Sequence, residues 1–445
     1  MNIIQRSSII VFASIFFLST QPALAQDAPA EEAAPAEEEA PTGEAAPAEE
    51  EAPAEEEAPA EEVAPVLKTV VVPANTDTVN LSPYLDYFED AEGKLTIEEV
   101  SANGFQSKFQ SLDEGVDVAN FGLGLTSAFW FRVVVENMSE TIQWVIEDDY
   151  AALDSIYFYQ KDADGNWQVQ KSGDSEPFQG RYWNHPNPNF SFERWEGDTT
   201  PVFIRVVTTG NMKLPLKLYS ERAFGLKSMD ELFGSGVFYG IFLVMIIFNG
   251  LMFIPLRDVN YLLYVGFLSL FLLFQMNLLG HGFEYLWPNS PHLNNLTLLF
   301  FIFSAFFCAL EFTRRFNLAE QYSPKFNKVL KIFALIMLAL SFVQFVAPYK
   351  VMIKVVIVLC LVGSSTIVAA GISCMKAGFQ PARFFVGAWG IFLVGVVLFA
   401  LVTAGRIPSN PITEGSYRFG ATILVTFLAL ALVDRLRFLQ ERGEG

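Results

Sequence analysis

The sequence predicts two folded parts in series: an exported antiparallel β-sandwich, followed by an all-α bundle of seven membrane-spanning helices. Three observations predict this. Seven long apolar runs follow one another between residues 234 and 433, short alternating strands separated by turn residues fill 66–228, and the N-terminus reads as an export signal. Lipid offers no water to backbone N–H and C=O groups, so a stretch of about 20 predominantly apolar residues crosses it as a helix.

The elements follow in chain order. Arg6 supplies a positive n-region, residues 8–18 an apolar core, and Ala23-Leu24-Ala25 a small-residue cleavage site, so 1–25 is read as a signal peptide and left out of the fold. Residues 26–65 are almost entirely Ala, Pro and Glu, with 14 Glu, one Asp and no Lys or Arg. This segment carries three quarters of the chain's net charge of −20, and the body has 34 acidic against 28 basic residues. An acidic partner-binding role for the whole protein is therefore not implied. With regular Pro and no aromatic residue, the segment cannot bury enough surface to offset its ordering entropy, and it is expected to be a self-repelling tether.

In 66–228, Phe129, Phe131, Val133 and Val135 share one strand face, and Ser155, Tyr157 and Tyr159 alternate with Ile156 and Phe158. Turns at 162–166 and 208–211 lead into further strands, and 97–102 reads as one short helix. Strands of this length and spacing make an antiparallel sandwich. Cys308, Cys360 and Cys374 all lie in or beside membrane runs, so the exported domain is expected to fold without disulfides.

The membrane runs are 234–254, 261–279, 293–312, 329–347, 351–372, 384–404 and 417–433, giving a membrane domain over 229–434 and a tail over 435–445. With the sandwich outside, the inner connections and tail carry 11 Lys and Arg and the outer connections four. That bias agrees with the signal peptide, so the sandwich is expected outside and the C-terminus in the cytoplasm. Tyr285 and Trp287 read as interfacial anchors on the outer side.

Polar groups inside spans are expensive and stand as functional candidates: Asn249, Gln275 and Asn277, with Gln344, Lys354 and Thr426 beside them. The plainer reading is interhelical hydrogen bonding for the amides and snorkelling for Lys354. Glu311 and Arg315 are spaced to pair on one helix. In the sandwich, the Pro-broken segment from Asp174 to Trp195 brings together Arg181, Tyr182, Trp183 and His185, which makes these six residues the ligand-binding candidates. Aromatic rings on a loop stack on sugar faces, and Arg or Asp fixes hydroxyl or carboxylate groups. The alternative is packing, with Trp183 and Trp195 capping the core or docking it onto the membrane. His185, His281 and His292 are the only histidines, and no Cys/His spacing resembles a metal site. No nucleophile elbow, phosphate-binding glycine loop or nucleic-acid patch is evident, so neither an enzyme nor a cofactor is expected.

Several short stretches, in this order and spacing, resemble the bacterial seven-transmembrane receptors with diverse intracellular signalling modules. In the exported part they are 82–90 (SPYLDYFED), Phe129-Trp130-Phe131-Arg132 with Glu136-Asn137, and Gly173-Asp174 followed by Phe178 and Arg181. In the membrane part they are Tyr239-Gly240, Asn249, Leu256-Arg257-Asp258, 261–264, 285–288, 312–316, 382–384 and 405–408. The resemblance covers roughly 80–440 and implies a periplasmic jelly-roll sensor for carbohydrate-like or other small ligands, ahead of a seven-helix transmitter. It makes Arg181 the leading ligand contact. Family members continue into a kinase, cyclase or phosphatase; here residues 434–440 begin an exit helix and the chain stops soon after, so no output enzyme is expected.

The first expected function is a non-enzymatic receptor that passes a signal, through a linker at 223–231 and the bundle, to a separate cytoplasmic kinase or cyclase. Arg314, Arg315, Arg383 and Arg435 are the candidate contacts for that partner. The alternative is a scaffold or accessory subunit of an envelope complex, holding an envelope protein without signalling. A transporter is a remote third, because no acid–base chain runs along one helix.

Overall fold

The protein is described by a computed structural model covering residues 68–443, except 114, 115, 117, 124, 125, 404, 405 and 408–410. The signal peptide and the Ala/Pro/Glu tether lie outside the described residues.

Thirteen strands build the first part among the described residues: β1 (Thr69–Val72), β2 (Thr78–Asn80), β3 (Asp86–Asp90), β4 (Gln110–Ser111), β5 (Ala119–Leu123), β6 (Ala128–Asn137), β7 (Gln143–Asp148), β8 (Ser155–Lys161), β9 (Trp167–Ser172), β10 (Asn189–Glu193), β11 (Val202–Val207), β12 (Asn211–Leu214) and β13 (Leu216–Ser220). One sheet runs β4-β3-β6-β11-β8-β9, with β1 parallel to the second half of β6. The other runs β10-β7-β13-β2, and β5 pairs with β12 apart from both. The predicted face Phe129, Phe131, Val133 and Val135 enters the core, against Trp144, Ile146, Phe190 and Leu218 of the second sheet.

Strand β6 is buried on its other face too. Trp130 packs under Ile97, Val100 and Phe105, from the short helix Ile97–Val100 and the 3-10 turn Asn103–Lys108. Thr96 starts that helix with a reciprocal capping box to Glu99. Arg132 lies under the same cover, 2% exposed, donating to Asp86 Oδ2 at 2.6 Å and to Gln106 Oε1 at 2.6 Å. The carboxylate partner and the amide oxygen offset the cost of burying this charge, although Nε has no partner.

Seven helices among the described residues are long and apolar enough to cross a membrane: α1 (Glu221–Leu256), α2 (Val259–Leu278), α3 (Pro291–Phe316), α4 (Pro324–Val343), α5 (Tyr349–Lys376), α6 (Ala382–Thr403) and α7 (Pro411–Arg442). Helix α3 is the most enclosed and α1 the least. Aromatic rings fill the centre, with Phe242 stacked on Phe271 at 5.8 Å and Phe267 against Trp389 at 5.8 Å. In lipid the attraction between helices is packing, so small residues set the closest approach. A Cβ on Gly395 of α6 would stand 2.6 Å from the Ser416 carbonyl oxygen of α7, and the Ser416 hydroxyl donates to the Gly395 carbonyl at 3.0 Å.

Two boundaries differ from the sequence reading, both because a helix continues into water once its backbone is paired. Helix α1 begins at Glu221, so the expected linker at 223–231 is helical and the expected boundary between 228 and 229 falls inside it. The seventh run, the shortest in apolar residues, belongs to a helix of 32 residues that includes the exit segment.

Arg132→Met strands the Asp86 carboxylate in the interior and lowers stability by about 3–5 kcal/mol. Pairing it with Asp86→Leu recovers most of the loss. Thermal unfolding of the detergent-purified chain checks this, and a single variant as stable as wild type contradicts it.

Candidate functional site

No residue separates the last strand of the sandwich from the first membrane helix. Ser220 ends β13 and caps α1, its Oγ accepting the Ala223 N–H at 3.2 Å and donating to Asp77 at 2.8 Å. Helix α1 has 36 residues and is therefore about 54 Å long, against a hydrocarbon core of about 30 Å. The helix is thus longer than a span needs, and its first turns lie beside strand β7.

There, alternation on β7 turns Trp144, Ile146 and Asp148 into the sandwich and Val145 and Glu147 toward the helix. Val145, Tyr219 and Phe224 form a small apolar cluster with Trp183 and Ala223. Beside it the Lys227 ammonium donates to Glu147 at 2.6 Å and reaches Glu231 at 2.9 Å and Asp149 at 3.6 Å. Lys217 holds Asp149 at 2.9 Å, and the Asn187 side chain donates to Glu147 at 2.9 Å and Asp149 at 3.0 Å. His185 sits between two carboxylates, Nε2 at 3.1 Å from Glu231 and Nδ1 at 3.7 Å from Glu147, while the Asn187 backbone N–H donates to Nδ1 at 3.2 Å. Burial pushes the Glu147 carboxyl up from its ordinary pKa, with Lys227 opposing. Burial acts the same way on Asp149, but there Lys227 and Lys217 outweigh it and hold the carboxyl below its usual value.

The segment predicted to bind ligand is the sandwich's other contact with the bundle. Arg181 is half-buried, donating to the carbonyls of His185 (3.0 Å), Pro186 and Gly173 (3.3 Å) and lying over the Phe178 ring. Phe178 meets Phe283, in the connection between α2 and α3, edge to face at 5.7 Å, and its N–H donates to the Pro288 carbonyl at 3.1 Å. Gly280, at φ +79°, fits against this segment because a Cβ would stand 3.0 Å from Pro186 and 3.1 Å from Ala151. Trp183 packs on Phe224 at 5.5 Å, and the Tyr182 hydroxyl donates to Glu221 at 2.5 Å. Asp174 is buried with Oδ1 unpartnered, and burial, reinforced by Asp154, pushes its carboxyl well above the usual range. Trp195, 63% exposed, lies open.

At the far end of the bundle, Arg435 of α7 donates to Asp258 at 2.7 Å and to the Phe316 carbonyl at 3.2 Å. It thereby ties the exit helix to the connection between α1 and α2 and to the end of α3. Phe438 meets Phe379 edge to face at 5.4 Å beside it. Arg435, expected to face a partner, is thus 7% exposed, because it satisfies groups at two helix ends, the start of α2 and the end of α3. Arg383 and Arg315 are exposed, with Arg315 pairing with Glu311 as its spacing predicts. Arg314 also pairs with Glu311, at 2.6 Å.

Of the polar residues in spans, Asn249 donates to the Met245 carbonyl of its own helix at 2.8 Å, and Asn277 joins α2 to α3 through Asn294 and Thr297. Gln275 is fully buried with neither amide atom partnered. The sequence reading gave no functional role to Glu147, Asp149, Lys227, Glu231 or Asp258. The Lys227–Glu231 spacing was the available signal, but the strand that faces it lies about 80 residues earlier.

Residues 82–220 match the family model described as 7TMR-DISM extracellular 2, and 231–435 match that described as 7TM diverse intracellular signalling. Both folded parts are thereby accounted for. The chain belongs to the seven-transmembrane receptors with diverse intracellular signalling modules, and it is a multi-pass membrane sensory receptor with a β-sandwich extracellular domain. No curated protein matches it.

A carboxyl whose pKa is raised by folding stabilises the fold while protonated, and that contribution is lost as pH rises through the folded value. At neutral pH Asp174→Asn therefore unfolds at a higher temperature than wild type. The difference closes as pH falls and the wild-type carboxyl takes up its proton. Melting curves across that range check this, and a variant less stable than wild type at neutral pH counts against it.

Proposed function

We propose that the sandwich faces the periplasm and meets a small ligand, carbohydrate-like in chemistry, or an envelope protein. Its state passes through the junction with α1 to the exit helix, which presents it to a cytoplasmic kinase or cyclase across a bacterial inner membrane. The observation that carries this reading is the unbroken passage from β13 into α1, with Lys227 bridging strand and helix. A displacement of β7 or β13 cannot be absorbed by a flexible linker. The Arg435 clasp is the corresponding element at the other end, where α7 meets the start of α2 and the end of α3.

Arg181 and Asp174 serve this reading as the frame of the coupling segment. Trp195 and Tyr182 are the rings left open for a ligand face, and Arg315 and Arg383 the open cations for an inner partner. The excess of Lys and Arg in the inner connections supports the orientation. A ligand moves the bundle only by its difference in affinity between two packings, and a shift from 1:99 to 99:1 needs about 5.5 kcal/mol of difference.

Coupling is testable without knowing the ligand. In a chain with its three native cysteines replaced, a cysteine at Phe438 is labelled by a membrane-impermeant reagent only from the cytoplasmic side, and one at Trp195 only from outside. Arg435→Ala speeds labelling at 438 several-fold, and Lys227→Met at the opposite end changes that rate too. Labelling of both positions from one side ends the orientation. A rate at 438 indifferent to Lys227→Met ends the coupling and leaves the scaffold reading.

A further inference from the structure

We infer that Glu147, His185 and Glu231 form a binding site for a divalent first-row transition metal ion of the zinc type, which pins helix α1 to the sandwich in exchange with the Lys227 ammonium. The three residues come from three elements: strand β7, the segment after β9, and the exposed start of α1. Each offers one ligand atom, and the three atoms lie within 4.8 Å of one another. Bonds of about 2.0–2.2 Å to a tetrahedral ion ask for a modest contraction of that triangle.

Several features favour a metal ion over a cluster completed by lysine alone. Glu147 Oε2 is fully buried and has no hydrogen-bond partner, although Lys227 and Asn187 both serve Oε1. A carboxylate oxygen left bare in the interior costs free energy, so this carboxylate is incompletely served by the lysine and the amide. Two carboxylates balance a divalent charge. The imidazole turns the preference toward zinc, nickel or copper and away from calcium and magnesium, which take oxygen donors. The Glu231 side chain is 43% exposed, whereas Glu147 and His185 are enclosed.

The exchange places the charges at the cost of one hydrogen bond, the one the Asn187 N–H donates to the ring. Metal at His185 Nε2 requires the ring proton on Nδ1, which faces Glu147 3.7 Å away, and the ring then gives up its bond from the Asn187 N–H. The displaced ammonium keeps Asp149, already 3.6 Å distant, as its counter-ion. In the ammonium form a monovalent side chain joins strand to helix through hydrogen bonds; in the metal form a divalent bridge of ligand bonds does. The mechanical consequence rests on the junction being the coupling path proposed above, but binding itself does not.

The test uses the full chain in detergent, stripped with chelator and dialysed against Zn²⁺, with Ca²⁺ and Mg²⁺ in parallel and bound metal quantified. Wild type retains one equivalent of Zn²⁺, and His185→Gln and Glu231→Gln each weaken binding at least tenfold. Lys227→Met strengthens it at least tenfold by removing the competing cation, a gain that a merely structural ion-pair role does not produce. Absence of saturable Zn²⁺ binding, or binding indifferent to His185→Gln, overturns the site, and neither depends on Lys227→Met folding. Weaker binding in a folded Lys227→Met chain, shown by an unchanged melting curve, overturns the exchange. Tight binding that leaves labelling at position 438 unchanged upholds the site and removes only the coupling.

Discussion

The constraint on which the rest of this molecule depends is the absence of any spacer between β13 and α1. Strand β13 is held on both edges, by β7 and by β2, and its final residue is the cap of the first membrane helix. A strand fixed by hydrogen bonds on both sides and a helix fixed by its own ladder leave no soft dihedral at which the two could move independently. The polar junction beside it follows from this. Once the helix start is forced to lie along β7, the outward-facing Glu147 must find a cation or remain an unpaired buried charge, and Lys227 supplies it.

Three buried or half-buried ion pairs join parts distant in sequence. Arg132 with Asp86 fastens the cover of the first sheet, Lys227 with Glu147 fastens strand to helix, and Arg435 with Asp258 fastens the last membrane helix to the connection after the first. Replacing one partner in such a pair leaves the other stranded, so these contacts fix position more than they add net stability. Asp174 is different. It has no strong cation of its own, because the Arg181 guanidinium is engaged by three carbonyls, and burial favours its neutral form.

The segment from Asp174 to Trp195 illustrates how far side-chain chemistry can be read without coordinates. Its richness in aromatic and polar residues marked it as unusual, and the reading weighed a ligand loop against docking. Its geometry is that of a dock: Arg181, Trp183 and His185 are turned inward onto the start of α1 and onto the α2–α3 connection, and only Trp195 and Tyr182 remain open. Composition cannot distinguish these cases, because the same rings and cations suit a sugar face and a protein surface.

The sequence by itself determined whatever depends on local pattern. Period-two alternation at Phe129 to Val135 fixed which face enters the sandwich core, and unbroken apolar runs fixed the seven helices, because lipid admits no other backbone. The Glu311–Arg315 pair was legible for the same reason, since four residues make one helical turn. Only the tertiary structure decided that α1 starts eight residues before the expected domain boundary, that Arg435 is buried, and that Glu147 meets His185, Lys227 and Glu231. Those outcomes depend on which surfaces of distant elements are brought face to face. Such encounters follow from the register of a strand against a helix, and no local periodicity encodes that.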